Sequence, residues 1–182
     1  MALKITVDKS EFNLRETLTR LDTERIPYEK MPVGSVIQVQ QHHLYGSGQV
    51  NTTSSSFQDS GLFIDFHPKF ANSRLLVTCE FNAQSGNQSN SGLRWSIFRQ
   101  IDGTATASSE NILGNSSAQM SITYHSPSGY IHEGTSITIE DKPKTIKKVQ
   151  YRLFFFSHNG SGNVGVARDW GGAHFTVMEV RE

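Results

Sequence analysis

Residues 57–81 read FQDSGLFIDFHPKFANSRLLVTCEF, the longest stretch of one unbroken pattern in the chain. Leu62, Ile64 and Phe66 fall on one side of an extended backbone, and Phe63, Asp65 and His67 on the other. In the second half Leu75, Val77, Cys79 and Phe81 share a side against Leu76, Thr78 and Glu80. A period of two belongs to a strand with one face in a core. Pro68 holds His67 extended and removes a ladder donor, while Asn72 and Ser73 favour turns by bonding their own backbone. The stretch therefore predicts two strands joined as a β-hairpin.

The same texture fills the rest of the chain from Gly34 onward. Strand-like runs are predicted over 35–41, 93–101, 118–124, 135–140, 147–157, 163–167 and 173–180, separated by segments rich in Gly, Ser, Asn and Pro. With no helical periodicity after Asp22, a parallel sheet has no crossover helices to build it. The pattern specifies an all-β fold, an antiparallel jelly-roll sandwich.

Two runs are apolar on both sides. In 147–157, Val149, Tyr151, Leu153 and Phe155 supply one face, and Phe154 and Phe156 place large rings on the other. Residues 93–101 repeat this more weakly, with Trp95 and Ile97 opposed by Phe98. The outer face of a lone sandwich is normally wet, so these rings call for a cover from outside it. A symmetric oligomer is the simplest cover, with Trp95, Phe98, Phe154 and Phe156 as its interface, although the N-terminal segment is an alternative.

Residues 1–33 have a different pattern. After the alternating Leu3, Ile5 and Val7, Asp8 and Glu11 are spaced as a capping box, and Leu14, Leu18 and Leu21 recur at helical spacing. One α-helix is expected from about Lys9 to about Thr23, too short to stand alone and so in need of a partner surface, in its own domain or elsewhere. Pro27 and Pro32 end the helical pattern. The domain boundary falls there, giving an N-terminal arm, 1–33, and a main domain, 34–182. Ile5, Val7, Phe12, Leu14, Leu18 and Leu21 are the arm's candidate attachment residues.

Composition narrows the chemistry. A chain of 182 residues with 36% hydrophobic side chains supports one main core. Lys plus Arg equals Asp plus Glu at 17 each, so no large basic field is present to attract phosphates, and nucleic acid is not an expected partner. No membrane span and no secretory signal are read in the sequence. The single cysteine, Cys79, sits on an apolar face and reads as a small buried hydrophobe.

The seven histidines, His42, His43, His67, His125, His132, His158 and His174, lack the spacing of a metal site on one strand; adjacent His42 and His43 point to opposite faces. No nucleophile elbow and no phosphate-cradling loop before a helix occurs, and Asp59 and Asp65 read as strand carboxylates. No catalytic residue, metal or cofactor is therefore assigned, and the chain does not read as an enzyme. One loop, ARDWGG at 167–172, sets Trp170 beside Arg168 and Asp169, the kind of aromatic and carboxylate pairing that holds sugars. Packing of Trp170 into the domain or into an interface accounts for the same residues.

Three pieces, GSVIQVQQ at 34–41, FQDSGLFIDFHPKFANSRLLV at 57–77 and AHFTVMEV at 173–180, together resemble a β-rich domain of tailed bacteriophages, especially marine phages and cyanophages, found in tail fibres and virion surface proteins. The resemblance covers 34–182. It implies a jelly-roll knob, similar in architecture to trimeric C1q-like and tumour-necrosis-factor-like heads, that forms a homotrimer at the virion surface and is tethered by its N-terminal segment to other virion proteins of the capsid or tail. No long shaft separates arm and knob here, which favours a capsid decoration protein, a head fibre or a small baseplate or neck component over a full tail fibre. The alternative is a receptor-recognition module binding a host surface glycan through Arg168, Asp169 and Trp170.

Overall fold

Alternation decides which face of each strand is buried; pairing then decides the fold. The computed structural model describes residues 5–7, 10–12, 27–45, 50–86, 92–114, 119–121, 130–158, 160, 162–167 and 172–182. The chain divides into two compact units, Met1–Val33 and Gly34–Glu182.

In the first unit, β1 (Ile5–Val7) and β2 (Ser10–Phe12) pair antiparallel, with Ile5 opposite Phe12. A single 3-10 turn, Tyr28–Lys30, follows Pro27, whose φ of −57° suits a helix start. The helix expected from Lys9 is thus corrected at its beginning. Ser10, Glu11 and Phe12 are extended because they complete a ladder with the β-branched run Ile5, Thr6 and Val7, and this outweighs the capping-box spacing. Leu14, Leu18 and Leu21 lie outside the described residues.

In the second unit the strands are β3 (Val36–Leu44), β4 (Val50–Thr52), β5 (Gln58–Phe66), β6 (Arg74–Gly86), β7 (Leu93–Ile101), β8 (Glu110–Asn111), β9 (Met120–Ser121), β10 (Tyr130–Asp141), β11 (Val149–Ser157), β12 (Asn163–Ala167) and β13 (Ala173–Val180). Strand β6 is long enough to pair with β10 along one edge and with β13 and then β12 along the other. Beyond these, β3 pairs with β13 and β4 with β12. Each of the pairs β3 and β4, β8 and β9, and β12 and β13 therefore acts as one interrupted arm.

Counted so, eight arms form two antiparallel sheets. The first has the order β3/β4, β12/β13, β6, β10; the second has β5, β11, β7, β8/β9. In chain order of the arms this is 1-8-3-6 facing 2-7-4-5, the jelly roll. The core between the sheets holds Leu62, Ile64 and Phe66 of β5, Leu75, Val77, Cys79 and Phe81 of β6, and Tyr151, Leu153 and Phe155 of β11.

The 57–81 stretch is accordingly not a hairpin. Its two arms, β5 and β6, belong to opposite sheets: across the core β5 packs against β3 and β13, and β6 against β7. Their connection is held from the other end of the chain. The carboxylate of Glu179, fully buried on β13, accepts hydrogen bonds from Lys69 N at 2.8 Å, Phe70 N at 3.1 Å, Ser73 Oγ at 2.6 Å and Gln38 Nε2 at 2.7 Å. Gln38 Nε2 also donates to His67 O at 2.7 Å and Gln40 Nε2 to Asp65 O at 2.9 Å, which ties β3 to β5 across the rim of the sandwich.

The apolar outer face of β11 is covered by the chain itself. Phe98, Ala105 and Phe154 form a second buried cluster, with Phe57 packed against it. Phe57 stands edge-on to Phe98 at 5.1 Å and to Phe156 at 4.8 Å. The segment between β7 and β8 carries Ala105 over this face, and Gln150 Oε1 accepts the Ala105 amide at 2.9 Å to fix it there. A Gly-, Thr- and Ser-rich linker thus supplies a lid for which the apolar pattern pointed to another subunit or to the N-terminal segment.

At the edge of both sheets Arg99, 8% exposed, donates to Asp141 Oδ1 at 2.5 Å and also pairs with Glu110, while Tyr151 donates to Asp141 Oδ2 at 2.7 Å. Burial, reinforced by the Asp141 charge, pushes the Tyr151 phenol up, and burial followed by the Glu80 charge pushes the Cys79 thiol up. In the unfolded chain both ionise nearer their ordinary values of 10.0 and 9.0. Both groups are raised on folding, so their contribution is complete below the unfolded values and is lost as pH climbs past them. Urea midpoints should hold from neutral pH to about pH 9 and fall beyond it, with Tyr151→Phe flattening the decline above about pH 10. A midpoint that stays constant to about pH 11 would contradict this.

Candidate functional site

The outer face of the first sheet carries its polar side chains in rows, because antiparallel register sets every second residue of four neighbouring strands side by side. One row is His43, His174, Glu80 and Ser136, in that order across β3, β13, β6 and β10. The His43 and His174 rings lie 5.1 Å apart. His174 Nε2 is 2.6 Å from Glu80 Oε2, and Ser136 Oγ donates to Glu80 Oε1 at 3.1 Å. The next row toward β12 sets Asn82 opposite Gly134.

Gly134 has no side chain, so the surface drops there into a groove of about 270 Å³ lined by Glu80, Asn82, Gly134, Ser136, Gly172 and His174. At the Gly172 end stands Tyr45, 77% exposed, its ring stacked on His43 at 5.4 Å and 11°. A Cβ on Gly172 would lie 3.8 Å from the Tyr45 ring, so the two are neighbours. Gly172 has φ +75°, a conformation that glycine adopts without strain.

The row is not a nucleophile with its base. Ser136 donates to Glu80, and His174 meets the other oxygen of the same carboxylate, so no imidazole stands ready to take the serine proton. Among the described residues no group of three or more His, Cys, Asp or Glu side chains could hold a metal ion. The described histidines have separate settings: His42 stacks on Phe63 at 5.3 Å, His67 lends its carbonyl to Gln38, His132 lies on β10, and His158 Nε2 is 3.4 Å from Arg94. Asp59 pairs with Arg152, and Asp65 accepts from Gln150 at 2.8 Å.

Of the four expected interface residues, Trp95 is 1%, Phe98 1% and Phe154 6% exposed within a single chain; Phe156 is half-buried. Trp95 faces inward, edge-on to Phe81 at 5.2 Å, while Phe98 and Phe154 pack on each other at 5.3 Å. These three rings are therefore not open to a second subunit, a correction that follows for Trp95 from its place in the core between the sheets and for Phe98 and Phe154 from the cover over β11. Ile5, Val7 and Phe12 fall on β1 and β2, and the attachment residues Leu14, Leu18 and Leu21 lie outside the described residues, as do the glycan candidates Arg168, Asp169 and Trp170. Tyr45, Glu80, Asn82 and Gly134 carried no signal beyond lying at polar or turn-like positions, since only the register brings them together.

No protein-family model matches the chain, and no curated protein matches it. Solved structures similar to it include that of the infectious bursal disease virus Gx strain, at 14% identity over 81% of this chain and 38% of that one, with a TM-score of 0.36. The VP2 subviral particle of infectious bursal disease virus is similar at 13% identity over 79% of this chain and 36% of that one, with a TM-score of 0.36. T=1 particles derived from the same virus give 15% identity over 79% and 36%, with a TM-score of 0.35. The chain thus spans between 36% and 38% of the length of the proteins it matches.

Proposed function

We propose that the chain is a structural protein of a bacteriophage virion, with Gly34–Glu182 as a knob at the particle surface and Met1–Val33 as the arm that attaches it. The observation that carries this reading is the complete jelly-roll order of the sheets over the same residues that resemble the phage domain. Within the particle the reading takes in a capsid decoration protein, a head fibre or a small baseplate or neck component. Homotrimeric assembly belongs to the reading through that resemblance, and its contacts then use side chains that one chain leaves exposed. The reading assigns the chain no catalytic step.

Deleting residues 1–33 is expected to leave a folded knob that no longer joins the particle, because the described core residues of the knob all belong to the second unit. Circular dichroism reports the fold, and incorporation into particles lacking the native copy reports attachment. A truncated chain that fails to fold would put the arm in the core; one that folds and still incorporates would move the attachment surface onto the knob.

A further inference from the structure

We propose that the groove beside Tyr45 binds a neutral saccharide, using described residues alone and independently of where the protein sits on a particle. The chemistry of the lining selects the ligand class. Among the described lining residues there is no Lys or Arg, and the one carboxylate, Glu80, faces the groove, so an anionic group is disfavoured there. Glu80 is itself held by His174 and Ser136, and among the described residues three or more acidic or metal-binding side chains do not converge, so a metal ion is not the natural occupant either.

What the lining offers is a carboxylate with acceptor capacity to spare, set in a largely apolar hollow. A carboxylate has about four acceptor positions, of which His174 and Ser136 engage two, so Glu80 can still accept from a ligand hydroxyl. Sugar hydroxyls, each donor and acceptor at once, can donate to it. Tyr45 supplies the other half of the recognition: a broad aromatic face, largely exposed, whose orientation is fixed by stacking on His43. An exposed ring beside Gly172, at the edge of the groove, is a platform for the C–H face of a pyranose. A volume near 270 Å³ falls just under the ~300–1,000 Å³ of pockets for drug-sized ligands, which suits one sugar unit of a longer chain.

The test uses the full-length protein. Saturation-transfer NMR with millimolar glucose, galactose and N-acetylglucosamine, and an array displaying neutral and sialylated glycans, should show binding of at least one neutral sugar. Tyr45→Ala removes the platform from an exposed position. Gly134→Val fills the groove, since a Cβ there meets nothing nearer than Asn82 Oδ1 at 3.9 Å and a branched residue suits a strand. Each should weaken binding by about tenfold or more with the melting temperature unchanged. Thr138→Val, on the same face outside the groove, should leave binding as it was. Retention of no neutral sugar, binding that survives both groove variants, or a preference for sialylated glycans would overturn the proposal.

Discussion

Phe154→Ala is expected to lower the folding stability of the single chain by about 3–5 kcal/mol while leaving the oligomeric state of the folded protein unchanged. The ring is 6% exposed without any partner subunit, packed edge-on against Phe98 at 5.3 Å under the Ala105 segment. Truncation therefore opens a cavity beneath an existing lid. Phe98→Ala should behave alike, for its ring is 1% exposed. Phe156→Ala, at a half-buried ring, should cost about 1 kcal/mol. Folded single domains are stable by only about 5–15 kcal/mol, so the first two variants sit near the edge of folding. Urea midpoints with light scattering separate the cases. A Phe154→Ala protein with unchanged stability but a smaller assembled mass would return these rings to a subunit interface.

Alternation along a strand conveys which side chains are buried. Period two assigned Leu62, Ile64 and Phe66, and likewise Leu75, Val77 and Cys79, to a buried face, and it set the bounds of Leu93–Ile101, Asn163–Ala167 and Ala173–Val180 as found. It conveys nothing about partners. Two strands with their apolar faces in one core satisfy the same pattern whether they pair side by side in one sheet or belong to opposite sheets. The connection at 67–73 fits both, and what holds the arched form is Glu179, more than a hundred positions away on β13.

The lid was hidden for a different reason. Ala105 lies in a run of Thr, Ser and Gly with no apolar period, and its place over Phe98 and Phe154 depends on one amide bonded to Gln150. The groove was hidden because register across four strands is a tertiary property: His43, His174, Glu80 and Ser136 are each plain polar-face residues until β3, β13, β6 and β10 come together.

Glu179→Gln should be among the most damaging isosteric changes in the chain, lowering stability by about 2–4 kcal/mol. The carboxylate is fully buried, and every group directed at it is a donor: two backbone amides, the Ser73 hydroxyl and the Gln38 amide. A glutamine side chain of the same shape must turn its NH₂ toward at least one of those donors, and the oxygen that remains is uncharged. At about 2–4 °C per kcal/mol for a domain of this size, the melting temperature should fall by roughly 4–16 °C. Ser73→Ala removes one donor and leaves the acceptor otherwise occupied, so it should cost about 1 kcal/mol. The damage begins locally, because Lys69 and Phe70 are tied to β13 by this carboxylate. Trypsin should therefore cut the Glu179→Gln protein after Lys69 at temperatures where the parent is still intact. A variant that melts with the parent and resists trypsin at Lys69 would show that Pro68 and the strand ends hold the arch without Glu179.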